Sequence, residues 1–391
     1  MKGEKIFEAL NGIRDSFIAE AAPKKHLRPA LILAGTAAGI VLIAAIALTR
    51  MQTVPIDPAL PKLETEAFEA VMGFEGYMAY DIAELTNANP WHGDAQPDTL
   101  PVYENLHRRA FDGRVDPFPA EEAEKRLLAM AAALGIEDPV ITSNAPDEEE
   151  QKKLAEKFAA VGEDLPEEYL MPTALLTGSD GILIEAEGDL TVTVHFDPPV
   201  AFPGPLPQDA SYDACLAAAE YFLEEYAAVI GMEDPVIDIT GGDRDIYGRQ
   251  SFDICFYEGA GDPITGYSFD RITFHTDDTG GLFIIRRTER DLSGKIGDYP
   301  VISAKEAEKL LLAGDYATTV PYKLPGEKYI AKTELVYRTD PGLQVFMPYY
   351  RFLVELPEAE RDGLKDYGTY YVPAVEPAYL TEPAGTICVG R

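Results

Sequence analysis

The chain has 391 residues, with 67 acidic against 33 basic side chains and a formal net charge of −34. A chain of this length buries sizeable cores without disulfides, and 46% hydrophobic residues exclude wholesale disorder despite the charge. The charge argues against nucleic acid as a partner, because an acidic surface repels phosphate and offers few lysines or arginines for counterion release.

The first 28 residues read as a cytosolic amphipathic segment. Ile6, Leu10, Ile13 and Phe17 recur at spacings of 4, 3 and 4, and Phe7 and Ile18 widen the stripe. Gly12 and the short length make this helix marginal alone in water, so it needs a surface to fold against. Two surfaces fit. One is the membrane interface, with Lys2, Lys5 and Arg14 toward lipid headgroups; the other is a hydrophobic groove on a cytosolic regulatory protein such as a sigma factor or sensor kinase.

Residues 29–49, PALILAGTAAGIVLIAAIALT, carry no charge over 21 positions. At about 1.5 Å per residue that run crosses a hydrocarbon core of about 30 Å, which predicts a transmembrane helix. Lys24, Lys25 and Arg28 crowd its N-terminal flank, so the positive-inside rule places the N-terminus in the cytosol and everything beyond about residue 50 outside the cell membrane. Ala45-Ile46-Ala47 resembles a cleavage site for a secretory signal, but the apolar run is too long and 28 residues precede it. Gly35 and Gly39 form a GxxxG pair, a candidate helix-pairing face within the span.

Residues 1–50 hold seven Lys+Arg and four Asp+Glu, which leaves 26 basic and 63 acidic residues beyond them. So acidic an outer region stays soluble and avoids an anionic membrane face. Cys215, Cys255 and Cys388 are odd in number and scattered, so no disulfide framework is implied. Cys215 falls in an apolar helix pattern and Cys255 in a strand pattern, as small core residues do.

Residues 50–118 read as a proline-bearing tether, a partly helical stretch from Leu63 to Thr86 and an irregular segment to about Phe118. Then comes a repeat: Ala123–Ile141 (AEKRLLAMAAALGIEDPVI) matches Ala219–Ile237 (AEYFLEEYAAVIGMEDPVI) at eleven of nineteen positions, at a constant offset of 96. Each copy is an amphipathic helix stopped by Gly135 or Gly231, with a proline four residues later and then an extended start. A weaker echo at Ala307–Ala313 has Ser303 as its N-cap.

Strand patterns follow each helix: 181–187 and 190–196 in the first unit; 249–258, 266–275 and 282–288 in the second; 329–337, 344–355 and 367–375 in the third. The charged run around Asp147–Lys157 reads as a solvated helix or loop. The expected fold class is α+β, with repeated helix-on-antiparallel-sheet units at 119–205, 206–299 and, more divergent, 300–391.

The stretch ISAKEAEKLLLAGDYATTVP…ELVYRTD…FMPYYRFLVEL…YGTYYVPAVE resembles the membrane-anchored extracytoplasmic YycH/YycI-type regulators of Gram-positive bacteria and the related PepSY-like domains, mainly over residues 205–380. That resemblance implies a regulatory or sensory role exerted on a sensor kinase, with no enzymatic site to carry over.

No GxSxG, HExxH, Walker loop, GxGxxG or SxxK occurs, so no catalytic, cofactor-binding or metal-ligating residue is assigned and no cofactor is expected. His92 and His107 lie fifteen apart in the irregular segment, while His195 and His275 sit in strand patterns. Asp243-Arg244-Asp245 after Gly241-Gly242 lacks the alternating oxygen ligands of a calcium loop and reads as a turn. Tyr349-Tyr350-Arg351-Phe352 and Tyr370-Tyr371 are either a recognition surface or, by strand alternation, core.

The expected function is therefore binding in an acidic extracytoplasmic region, regulatory or sensory rather than enzymatic. An extracytoplasmic hydrolase built from dispersed acids, or a structural or inhibitory module, are the alternatives.

Overall fold

A computed structural model describes residues 59–65, 76–78, 82–93, 97–110, 113–207, 209–245, 247–381 and 387–388. The amphipathic segment with Ile6, Leu10, Ile13 and Phe17, and the span at 29–49 with Gly35 and Gly39, lie outside the described residues. No helix among the described residues is long and apolar enough to cross a membrane.

A short strand β1 (Gly76–Met78) and a single 3-10 turn at Ala83–Leu85 stand where the sequence reads as partly helical. The segment expected to be irregular contains β2 (Thr99–Glu104), in which Leu100 and Val102 alternate inward. Helix α1 (Ala120–Ala133) buries Ala123, Leu127, Met130 and Ala131, one stripe at helical spacing, and Glu121 and Glu122 suit its N-terminal dipole. Gly135, at φ +73°, takes the left-handed conformation just past its end. After β3 (Thr142–Ser143) comes α2 (Glu148–Ala160), which is capped reciprocally by Asp147 and Glu150 and buries no residue; the charged run read as a solvated helix or loop is thus a helix.

Strands β4 (Ala174–Ser179), β5 (Ile182–Glu187) and β6 (Val192–Val200) follow. Ser211 caps α3 (Tyr212–Glu225), accepting from the Ala214 N–H at 3.2 Å, and a short α4 (Ala227–Ile230) ends at Gly231. Next are β7 (Pro235–Arg244), β8 (Gln250–Glu258), α5 (Pro263–Phe269), β9 (Asp270–Thr276), β10 (Leu282–Glu289) and β11 (Lys295–Pro300). The start of the expected strand at 266–275 is helical instead. Asp262 caps it, Pro263 has no N–H to lose in the first turn, and Gly266 alone fits against the Glu258 carbonyl.

The last part holds α6 (Ala304–Ala313), β12 (Ala317–Thr318), β13 (Ile330–Tyr337), β14 (Val345–Phe346), β15 (Pro348–Glu355), β16 (Asp366–Pro373) and β17 (Ile387–Cys388). Ser303 and Glu306 form a capping box at the start of α6. The strand expected over 344–355 is broken at Met347: β14 pairs with β2, whereas β15 pairs with β13 and β16.

The fold is mixed α and β with mostly antiparallel sheets. Eight strands run in the order β3-β4-β5-β6-β10-β9-β8-β7, so the strands that follow α1 and those that follow α3 meet at an antiparallel β6–β10 seam in one sheet rather than forming two small ones. Both helices cover the same face. There Leu127, Met130, Phe222 and Ile230 meet Ile184, Val194, Ile254, Phe274 and Ile285 in one continuous apolar core. The second sheet runs β13-β15-β16-β12-β17 with β1 beside β16, and its first strand after the helix, β12, pairs with the last long strand, β16. In the eight-stranded sheet β3 pairs instead with its successor β4, so α6 and its strands are wired differently. A small third sheet, β11-β2-β14, completes the set.

Just after Gly314 closes α6, Asp315 is 9% exposed and its Oδ1 has no hydrogen-bond partner among the described residues. Burial pushes this carboxyl up to about 6. The folded chain thus holds its proton more tightly than the unfolded chain does. Stability falls as pH rises from about 4 to about 6 and stays reduced above, by about 2–3 kcal/mol. Asp315→Asn is expected to be more stable than the parent at pH 7.5, with the difference vanishing below about pH 4. Thermal melts across that range check it.

A candidate binding cleft between two sheets

Residues along a strand alternate between faces, so the register decides which side chains look away from the helices. On the eight-stranded sheet Ile254, Phe256, Ile272 and Phe274 face the helical core, which turns Asp238, Cys255, Thr273, Tyr257 and Arg271 to the other side. On the second sheet Tyr350, Phe352, Tyr370 and Val372 pack in the core beneath α6, which turns Glu334, Arg351 and Tyr371 outward in one row. These two polar faces are joined by the segment from Glu84 to Asn89.

That segment bonds to both sheets. Glu84 accepts from the Gly241 N–H at 2.7 Å, the Ala88 N–H donates to Asp238 at 2.8 Å, and the Tyr257 hydroxyl donates to the Ala88 carbonyl at 2.7 Å. Toward the second sheet, Lys332 Nζ donates to the Glu84 carbonyl and to Asn87 Oδ1, both at 2.7 Å, and Asn89 donates to the Leu335 carbonyl at 3.4 Å. Gly242, at φ +92°, sits in a bulge of β7 where a Cβ would meet the Ile82–Ala83 backbone.

A chain of ion pairs lines the junction. Arg271 donates to Asp238 Oδ2 at 2.7 Å and to the Tyr267 carbonyl at 3.2 Å, and its guanidinium lies 4.8 Å from the Tyr267 ring centroid. Arg351 holds Glu334 with Nε at 2.6 Å and a second contact through Nη2, which also donates to the Tyr267 hydroxyl at 3.4 Å. Lys332 reaches the other Glu334 oxygen at 2.8 Å. Asp238 and Glu334 are 0% and 1% exposed, so each charge is compensated inside the protein rather than by water. Burial alone pushes the Glu334 carboxyl up; Arg351 and Lys332 outweigh it and hold the group below the ordinary range. Burial pushes the Tyr267 hydroxyl up to about 12, so it is protonated at neutral pH.

Of these side chains, Tyr267, Arg271 and Arg351 wall a cleft of about 460 Å³. Arg338, paired with Asp340 at 2.9 Å and 5.5 Å from the Tyr371 ring centroid, forms part of its lining, with Tyr337 and Asp253. Such a lining offers fixed donors, aromatic faces and exposed carboxylates: the means of recognising a small polar ligand. A second cavity of about 420 Å³ opens at the C-terminal end of α6, lined mainly by apolar groups such as Leu311, Tyr316 and Leu324.

The alternation read from sequence therefore splits the tyrosine-rich strands. Tyr350, Phe352 and Tyr370 are core, while Arg351 and Tyr371 line the cleft. Sequence reasoning missed Asp238, Arg271 and Glu334, charges on strands whose apolar residues give the stronger signal. His195 and His275 occupy one lateral row with Ile284 on the face away from the helices, and His275 Nδ1 lies 3.6 Å from Asp253. His107 pairs with Asp291 at 3.4 Å. No group of three or more His, Cys, Asp or Glu among the described residues is placed to hold a metal ion. Asp243 and Arg244, expected in a turn, are paired residues of β7 instead, and only Asp245 beyond them is in the connection to β8, accepting from the Tyr247 and Arg249 N–H groups and from the Arg249 side chain. Cys215 and Cys255 are free, buried thiols, and burial pushes the former to about 11.

No family model matches the chain, and no curated protein matches it. Among solved structures it is similar to the crystal structure of an uncharacterized protein from Eubacterium rectale ATCC 33656, at 11% identity, covering 73% of this chain and 87% of that one with a TM-score of 0.30.

Proposed function

We propose that the chain is a single-pass protein of the cell membrane, with its N-terminus in the cytosol, whose acidic extracytoplasmic region acts by binding in a regulatory or sensory role. The observation that carries this reading is the cleft, where Arg271, Arg351 and Arg338 are each held by a carboxylate and presented beside tyrosines in fixed geometry. Preorganised donors of this kind favour recognition, because little side-chain freedom is lost when a ligand arrives. The uncharged run at 29–49 and its basic flank support the anchor, and Gly35 with Gly39 supports pairing of two spans.

The offset-96 match, together with four strands on either side of the β6–β10 seam, supports descent of 119–205 and 206–299 from one duplicated helix-and-strand unit. The region from 300 to 391 is then a third, rewired relative, in keeping with the likeness to YycH/YycI-type and PepSY-like domains. On the cytosolic side, Ile6, Leu10, Ile13 and Phe17 are the face for a sigma factor or sensor kinase. Leu10→Asp in the full-length chain is expected to abolish co-purification of a cytosolic protein and to leave membrane insertion unchanged. Crosslinking from positions 6–17 that captures lipid and no protein removes the signalling half of the reading.

A further inference from the structure

In a chain of net charge −34 the lining of the cleft carries Arg271, Arg338 and Arg351 beside Glu84, Asp253 and Asp340, and directly behind it Asp238, Glu334 and Lys332 add two acids and one base. A site for a polyanion presents uncompensated positive charge, and a site for a cation presents the reverse; this wall carries both signs. The acids also divide by burial. Asp238 and Glu334, behind the arginines, are 0% and 1% exposed, whereas Asp253 and Asp340 are 55% and 53% exposed. The sealed pair orients guanidinium groups, and the open pair remains accessible to a ligand.

Donors are in place as well. Arg271 spends two of its five N–H groups on Asp238 and the Tyr267 carbonyl. The Tyr267 hydroxyl accepts from Asn87 and Arg351, which leaves its own O–H as a donor in the same wall. The rings of Tyr267, Tyr337 and Tyr371 supply apolar surface between the charges.

We propose that this cleft binds a zwitterion of amino-acid or short-peptide type, its carboxylate on the guanidinium and tyrosine groups and its ammonium at Asp253 and Asp340. The volume of about 460 Å³ suits a ligand of that size. The proposal rests on the binding reading above and names its ligand class.

Calorimetric titration of the detergent-solubilised full-length protein tests it, with alanyl-alanine, its N-acetyl form, its C-terminal amide, free alanine and succinate as probes. Alanyl-alanine or alanine is expected to bind tightest, their ratio separating a peptide terminus from a free amino acid as the source. N-acetylation and amidation are each expected to weaken binding by about tenfold or more, and succinate to bind worst. The double variant Asp253→Asn, Asp340→Asn is expected to weaken alanyl-alanine by about tenfold while leaving the N-acetyl form unchanged, a selectivity that general loss of structure does not produce. Equal binding of the blocked and free forms overturns the zwitterion and leaves the cleft a binding site. Absence of binding by all five probes at about 10 mM also overturns it, while the regulatory reading stands or falls on the Leu10→Asp experiment.

Discussion

Arg271→Met is expected to lower the unfolding free energy by about 3–5 kcal/mol, because it strands the Asp238 carboxylate, 0% exposed, without its countercharge. Asp238 retains only the Ala88 N–H at 2.8 Å among its short hydrogen bonds, which is too little to replace a guanidinium in a site closed to water. Adding Asp238→Asn to Arg271→Met removes the stranded charge and is expected to restore part of the loss, so the two changes are non-additive. Urea unfolding of the single and double variants measures both quantities, provided the m-value is unchanged. A single variant as stable as the parent shows that water reaches Asp238 and that the pair is not sealed.

An effect of similar size is expected in the other core. Phe222→Ala is expected to cost about 3–5 kcal/mol, the range for truncating a fully buried aromatic ring. Phe222 is 0% exposed and joins α3 to β9 and to the loop after β6: its ring stacks on Phe274 at 4.8 Å, tilts against Phe202 at 4.8 Å and meets Tyr226 edge-on at 5.9 Å. Since α3 packs over β7 and β8 and its Phe222 ring over β9, the void left by alanine loosens the helix from the sheet. Phe222→Leu keeps much of the volume and is expected to cost less; alanine and leucine both favour a helix more than phenylalanine, so helix propensity accounts for neither loss. Equal costs for the two variants argue against a cavity as the cause.

Local pattern was a good guide to where most helices and long strands lie. The charged run that reads as a solvated helix or loop is the solvated helix α2, and the Ser303 cap and the strands β10, β13 and β16 stand close to where the pattern places them. It failed at the corner before β9, where 266–269 has the apolar content of a strand but Asp262 and Pro263 start a turn of helix. It failed again at Met347, where two pieces of an apparently continuous strand join different sheets. Around Met347 the run stays apolar on both sides, so periodicity carries no sign of the break, whereas at 266–275 the apolar phase shifts from Tyr267 and Phe269 to Ile272 and Phe274, a sign that one strand does not span the stretch.

The repeat shows the same limit inside matched residues. Ala123 and Ala219 are both 0% exposed, as their identity implies. Four residues on, Leu127 is 0% exposed while its counterpart Leu223 is only partly buried, and Phe222 takes the central place instead. The break between α3 and α4 at Tyr226 lets Val229 and Ile230 complete the second stripe, whereas α1 continues unbroken to Ala133.

By itself the sequence determined the α and β content, the helix caps and the halves that share a pattern, because those depend on neighbours within a few turns or strand residues. Only the tertiary structure decided that two sets of strands join along β6 and β10, and that Arg271 and Arg351 line one cleft with Asp238 and Glu334 sealed behind them. Those four lie on strands of different sheets, brought together by the Glu84–Asn89 segment and by core packing that turns their polar faces toward one another. A charge inside an apolar strand reads the same in sequence whether it faces water or a partner. Which of the two it meets depends on the sheet packed opposite, and no local pattern encodes that.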